Sequence, residues 1–282
     1  MYRLSTPHRS LQPFIEHYWH VYAYPDRPFA LAVDVYVDVR ADLIINLGAP
    51  YHRRILGAPS VELAHSNLDA QRLRPIRIEQ RGVVIVSGAR FRTGGLMPFV
   101  SRPVREWNNR TIPLVDAFGS AGPALEDALR EVGEATVPQA EILDAFFLSR
   151  LTLTQPMELT RRLVSAVEAH GGRMRVEALC DLEGTTPRTV ARLFRRYVGV
   201  GPKTFSRVTR FQRGLNRLKS DPGVTLGELA SECGYSDQSH FVREFRRFAG
   251  VTPSQQLGYF PANAPTDFSP NLVRFVQDDV MT

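Results

Sequence analysis

The sequence predicts an α+β protein in two halves: a mainly β barrel- or sandwich-like half with added helices, then an all-α half built on a duplicated unit. Three observations predict it. Apolar residues alternate with polar ones along Val33–Val39 and again around Leu73–Gln80, the period of a half-buried strand. From Leu96 onward they recur instead at helical spacing. Finally, Arg192-x-Phe194-Arg-Arg-Tyr-Val-Gly-Val-Gly-Pro202 returns 51 residues later as Arg243-x-Phe245-Arg-Arg-Phe-Ala-Gly-Val-Thr-Pro253.

Residues 1–20 hold Pro7, Pro13 and an aromatic cluster, Phe14, Tyr18 and Trp19. His17 and His20 suggest a metal pair, but no acidic or third histidine ligand lies nearby, so packing or surface histidines are expected. Residues 33–47 read as a half-buried strand followed by a more buried one, with turns at Gly48-Ala-Pro50 and Gly57-Ala-Pro59. Residues 73–80 alternate around Pro75, which suits an edge strand. Gly82–Phe91 is strand-like again, with Gly88 a candidate bulge. The loop Arg90-Phe-Arg-Thr-Gly-Gly95 admits two readings, an anion-binding nest or a strand end with solvated arginines turning into a helix. Residues 1–92 are thus β-rich and 95–151 helical, with amphipathic helices over Ala121–Val132 and Pro138–Leu151. The apolar face of the second (Ile142, Leu143, Phe146, Phe147, Leu151) either docks on the β layer or pairs with a second subunit.

Residues 151–156 form a boundary, so the domains are predicted at 1–153 and 156–260, with a linker and tail over 261–282. Pro156 opens a helix carrying Leu159, Leu163, Ala166 and Val167 that stops at Gly171-Gly172. A first helix-turn-helix follows. Val176, Leu179 and Cys180 line its buried side, Thr186 caps its second helix and Pro187 takes the first helical position. In that helix Val190, Leu193, Phe194 and Tyr197 face inward, while Arg188, Arg192, Arg195 and Arg196 face outward. A long helix from Gly201-Pro202 to about Leu218 bridges to the second unit, and Gly214 allows close packing on it. Asp221-Pro-Gly223 turns the chain. Thr225 with Glu228 then forms a capping box before Leu226, Leu229, Ala230 and Cys233. After Gly234, Phe241, Phe245 and Phe248 share one face, and Ser239, His240, Arg243, Arg246 and Arg247 the opposite arc. Cys180 and Cys233 are expected at matching buried positions, as small hydrophobes rather than a disulfide or metal site. In the tail, Leu272–Gln277 reads either as a strand returning to the β half or as a disordered end.

Composition narrows the function. Hydrophobic content of 43% suits a globular chain, and no run of eighteen apolar residues suggests a membrane span. The amino terminus lacks the apolar stretch of a secretion signal, and the sparse cysteines suit a reducing cytoplasm. Residues 1–150 balance 17 arginines against 16 carboxylates, whereas residues 151–260 carry 17 basic against 10 acidic side chains. Excess positive charge therefore sits with the repeated unit, as a polyanion partner requires. There is no Gly-x-Gly-x-x-Gly or Walker lysine, and no nucleophile set suggests itself.

The repeated pattern (an apolar helix, Gly-Tyr, a Ser-rich turn, His-Phe, an Arg-x-Phe pair and Gly-x-Thr-Pro) resembles the double helix-turn-helix of AraC/XylS-type transcription regulators over residues 156–257. More loosely, Phe91-Arg-x-Gly-Gly, then Ile112-Pro-Leu, then two helices resemble the non-enzymatic amino-terminal domain of one subgroup. The resemblance implies a regulator that binds double-stranded DNA with two recognition helices in successive major grooves, about 34 Å apart. It also implies RNA polymerase as a partner, and an amino-terminal domain that senses a small molecule or forms a homodimer. Arg188, Arg192, Gln238, Ser239, His240 and Arg243 are the candidate base readers, since arginine pairs with guanine and glutamine with adenine. Arg195, Arg196, Arg246 and Arg247 are expected on phosphates or helix ends, with Thr204 and Ser254 adding phosphate contacts. No cofactor and no metal are expected. The alternatives are an amino-terminal half that only dimerises or docks a partner, or a small cupin-like enzyme fused to a helical domain.

Overall fold

The computed structural model describes residues 2–24 and 30–257. The linker and tail expected over 261–282, including the strand at Leu272–Gln277, lie outside the described residues.

Among the described residues ten strands form two antiparallel sheets. The larger contains β1 (Tyr2–Ser5), β2 (Ile15–Ala23), β4 (Asp42–Asn46), β7 (Asn67–Asp69), β9 (Val84–Phe91) and β10 (Thr111–Pro113), in the order β1-β2-β9-β4-β7-β10. The smaller contains β3 (Ala30–Val35), β5 (Tyr51–Ile55), β6 (Glu62–Ala64) and β8 (Ile76–Arg81), in the order β3-β8-β5-β6. Three short or medium helices follow, α1 (Leu114–Phe118), α2 (Ala121–Val132) and α3 (Thr136–Leu148).

The six-stranded sheet is covered on both faces. Leu43, Ile45, Ala89 and Phe91 face one way, into a core completed by Leu125, Leu129, Leu143, Phe146 and Phe147 of α2 and α3. Phe147 stacks on Tyr18 and meets Phe91 edge-on. The apolar face of α3 is thereby spent within the chain, docked on the sheet. On the other face Ile44, Val84 and Val86 meet Tyr51 and Ala64 of the smaller sheet.

Three local expectations are corrected. The strand predicted at an edge around Pro75 lies inside the smaller sheet, because it begins only at Ile76 and the proline stays outside the ladder. Gly88 is not a bulge. The register shifts between Ile15 and His17 instead, and Gly88 is where the Trp19 ring crosses the strand, 2.6 Å from where a Cβ would stand. The β region also runs past residue 92, since β10 pairs with β7 at the far edge.

Between the sheets runs a buried chain of alternating charges. Arg53 meets Asp69 at 3.2 Å, Asp69 meets Arg72 at 2.8 Å, Arg72 meets Asp42 at 3.1 Å, and Asp42 meets Arg90 at 2.9 Å. Arg90 continues to Asp38, which Arg40 joins at 3.1 Å on its way to Glu16 at 2.9 Å. Arg90 is therefore neither solvated nor an anion nest: its charge is consumed by buried carboxylates. Arg92 instead donates from Nε to the Gln12 carbonyl oxygen at 2.7 Å.

His20 is fully buried, its ring nitrogens 3.3 Å from Ser5 Oγ and 3.1 Å from Ser87 Oγ. Burial lowers its pKa to about 4, with Arg3 adding to the effect and a hydrogen bond to Gln139 opposing it. A histidine kept neutral in the fold contributes stability above its unfolded pKa that is lost as pH falls towards the folded one. The chain should lose roughly 3 kcal/mol between about pH 6.5 and 4 from this group. His20→Gln should flatten denaturant midpoints across that window, and an unchanged slope would remove His20 from the account.

Candidate nucleic-acid interface

The second half starts with α4 (Gln155–Ala169), whose proline lies in the first turn as expected. The first helix-turn-helix comprises α5 (Val176–Glu183) and α6 (Pro187–Leu193), which widens into a π turn over Phe194–Val198. The 19-residue α7 (Pro202–Ser220) leads to the second unit, α8 (Leu226–Glu232) and α9 (Gln238–Ala249), and α10 (Pro253–Leu257) closes the described chain.

Each recognition helix is started by a side-chain cap. Thr186 Oγ1 accepts the Thr189 N–H at 3.2 Å. Asp237 Oδ1 accepts the His240 N–H at 2.7 Å, and that bond, with help from the Ser236 hydroxyl, holds the Asp237 carboxyl below its ordinary range. The capping box of α8 is complete: Thr225 Oγ1 accepts the Glu228 N–H at 3.2 Å and the Glu228 carboxylate accepts the Thr225 N–H at 2.9 Å. Asp237 as the cap is absent from the reading of the sequence, although an Asp three residues before the His-Phe pair signals it.

Inward faces follow the predicted spacing. Phe241, Phe245 and Phe248 are buried, with Phe211 of α7 5.2 Å from Phe245 and 5.3 Å from Phe248. Gly214 is what lets α7 approach: a Cβ there would sit 3.0 Å from Phe241 Cε2. One partner of this seam was missed. Glu244 of α9 is buried and ion-paired with Arg207 of α7, which also lies 5.6 Å over the Phe248 ring. Nothing in the spacing announces that pair, because Glu244 sits beside the aromatic row only once α7 is in place.

The two units are not identical. The Thr185 N–H donates to the Cys180 carbonyl at 3.0 Å, and the Tyr235 N–H to the Ala230 carbonyl at 2.8 Å. Cys180 is thus the counterpart of Ala230, not of Cys233, since the second turn is one residue longer. Both cysteines are buried and free. The recognition helices also end differently. The Gly199 N–H bonds back to Phe194 across the π turn, whereas the Gly250 N–H bonds to Arg246 at the usual α spacing.

The outward faces collect the predicted residues. Arg188, Arg192, Arg195 and Arg196 are exposed on the first unit, and Gln238, Ser239, Arg243, Arg246 and Arg247 on the second. The last five line one shallow groove with Val242 and Thr252. His240 is half-buried instead: Tyr235 meets its ring edge-on at 5.2 Å, and Ser236 Oγ lies 3.1 Å from Nδ1. Among the described residues none of these seven arginines has a carboxylate partner, while Arg40, Arg53, Arg72 and Arg90 of the first half are all paired. Each unpaired guanidinium keeps five donors free for phosphate oxygens or base edges.

A duplicated helix-turn-helix with capped recognition helices and unpaired arginines on their outer faces defines the class, that of helix-turn-helix DNA-binding proteins. The comparisons agree. A helix-turn-helix domain family matches residues 179–257, and a domain of unknown function matches residues 4–113. An HTH-type transcriptional regulator of Escherichia coli, YidL, is 34% identical over 97 residues, 33% of this chain and 32% of that protein. The regulator VirS of Mycobacterium tuberculosis is 34% identical over 102 residues, 36% of this chain and 28% of its own length. A solved AraC-family regulator from Rhodopseudomonas palustris is 30% identical, covering 36% of this chain and 95% of that one, with a TM-score of 0.33. The chain spans about a third of the length of the curated relatives it matches. Residues 179–257 form a helix-turn-helix domain of the kind these transcription regulators carry. No described helix is long and apolar enough to cross a membrane.

Proposed function

We propose that the protein is a sequence-specific, double-stranded-DNA-binding transcription regulator that places α6 and α9 in successive major grooves. The observation that carries this reading is the set of unpaired arginines on the outer faces of two capped recognition helices. Because the units differ in turn length and in helix end, one chain reads an asymmetric site. Arg188 and Arg192 on the first helix, with Gln238, Ser239, His240 and Arg243 on the second, are assigned to base edges, as helix amino-terminal turns commonly are. His240 is oriented for this by Tyr235 and Ser236. Arg195, Arg196, Arg246 and Arg247 are assigned to phosphates.

In this reading the protein acts in the cytoplasm and meets RNA polymerase at a promoter. The β half carries no catalytic role; it accepts a small-molecule effector or a second copy of the chain. A thermal shift with candidate ligands separates those two uses, because a ligand that binds only the folded state raises the melting temperature.

Selection of bound sequences from random duplex DNA at two salt concentrations tests the DNA reading. The expected result is an asymmetric motif spanning two major grooves. Strongly salt-dependent binding without a motif would leave a basic helical domain and no regulator. Within the selected motif, Arg243→Ala should cost roughly 1–3 kcal/mol and relax one position. Arg247→Ala should weaken binding to all sequences and lower the salt slope by about one. Titrations against matched and mismatched duplexes distinguish the two patterns. Loss of thermal stability with unchanged specificity would sink the assignment.

A further inference from the structure

We infer that the β half is a clamp that fixes the two recognition helices relative to each other, by holding the carboxy-terminal end of each. This rests on the DNA-binding reading above. Gly199 and Gly250 stand 51 residues apart and are equivalent: each follows the last turn of a recognition helix in the left-handed conformation, with φ of 87° and 80°. Gly199 is buried against the β half, whereas Gly250 is exposed and only flanked by it. At Gly199, Asn108 Nδ2 donates to the carbonyl oxygen at 2.7 Å, and a Cβ would stand 2.7 Å from Asn108 Oδ1. At Gly250, a Cβ would lie 3.5 Å from Leu56 and 3.6 Å from Pro75.

The second grip is reinforced by a wedge. Tyr36, Val37 and Val39, between β3 and β4, belong to the buried core of the helical half rather than to either sheet core. The Val37 N–H donates to the Phe248 carbonyl in the last turn of α9 at 3.2 Å, and Gln212 of α7 donates to the Val37 carbonyl at 2.6 Å. The Tyr36 hydroxyl donates to Gln256 of α10. The wedge is itself held rigidly, since Asp38 and Arg72 exchange backbone hydrogen bonds at 2.9 and 2.8 Å.

Within the helical half, α7 packs on α4 of the first unit and on α8 and α9 of the second. Rotation about a single bridging helix is the softest motion such an arrangement leaves. Anchors on the carboxy-terminal ends of both recognition helices, set on one stiff sheet pair, remove it and leave the amino-terminal ends free for DNA. Asn108, Tyr36 and Gln212 are therefore positioning residues for half-site spacing, not DNA contacts.

The test uses the full chain with Asn108→Ala, Tyr36→Phe and Gln212→Ala combined. Inserting one base pair between half-sites rotates them by roughly 34°. Wild type should bind such an insertion at least about tenfold more weakly than the selected site. The triple variant should discriminate less than about threefold while binding the uninserted site nearly as well. In the absence of DNA, spin labels at Thr185→Cys and Ser236→Cys should give a narrow distance distribution in the wild-type background and a broad one in the variant. Unchanged discrimination together with an unchanged distribution overturns the clamp. If the triple variant melts more than a few degrees lower, Asn108→Ala alone carries the same measurements. Should wild type select no motif, the regulator reading fails and the distance distributions alone decide the clamp.

Discussion

Phe245→Ala should destabilise the chain by about 3–5 kcal/mol and abolish recognition through the second unit. Phe245 is fully buried on α9, 5.2 Å from Phe211 of α7 and 5.7 Å from Phe241. It joins the helix that bears Gln238, Ser239, Arg243, Arg246 and Arg247 to the helix that links the units. Truncation leaves a cavity where three rings meet, and neighbouring backbone cannot close it because Gly214 already brings α7 into contact with Phe241. Chemical denaturation of the full chain and titration with a selected duplex should move together, and Phe245→Leu should recover most of both. Full stability in the alanine variant would show that the aromatic row does not hold the recognition helix.

Asp38→Ala should cost a similar amount, about 3–5 kcal/mol, through charge rather than volume. Asp38 is buried beside Arg40, Arg72 and Arg90. Burial alone would raise its pKa, but the three guanidiniums outweigh it and hold the carboxyl at about 2. Removing it leaves the buried cations short of one counter-charge. The sign of the pH dependence follows from the depressed pKa. The stability Asp38 contributes, about 2 kcal/mol by linkage, is present above its unfolded value near pH 4 and lost as pH falls towards 2. Wild type should therefore show an acid limb in that window which Asp38→Ala flattens. An identical limb in the variant would assign acid unfolding to other carboxylates. Because Asp38 sits in the wedge between Val37 and Val39, the variant also reports on how firmly the β half holds α9.

The helical half was the more legible of the two for a physical reason. Its elements are set by contacts within a few residues: a capping threonine and its glutamate, a proline in a first turn, phenylalanines three and four apart. The capping box at Thr225, the cap at Thr186 and the buried row Phe241, Phe245 and Phe248 are all local. The β half yielded its strands but not their neighbours. Alternation predicts a strand over residues 73–80, at an edge, but not that β8 lies between β3 and β5. Gly88 looked like a bulge because the Trp19 ring that needs its missing side chain is far away in sequence.

The site divides the same way. The amino-acid sequence by itself determined the α+β class, the duplicated unit, its AraC-type character and the arc of each recognition helix that faces outward. Helical period and repeat spacing are properties of the chain alone. Tertiary structure decided which arginines remain free. Those on α6 and α9 face solvent and form no ion pair with a carboxylate among the described residues, while Arg90, beside two glycines in an inviting loop, is bound by Asp38 and Asp42, both distant in sequence. It also decided that Glu244 pairs with Arg207, that Cys180 matches Ala230, and that Tyr36, Val37 and Asn108 reach across to the helical half. Each depends on residues distant in sequence that meet only after the layers pack, and pairwise geometry of that kind leaves no period in the chain.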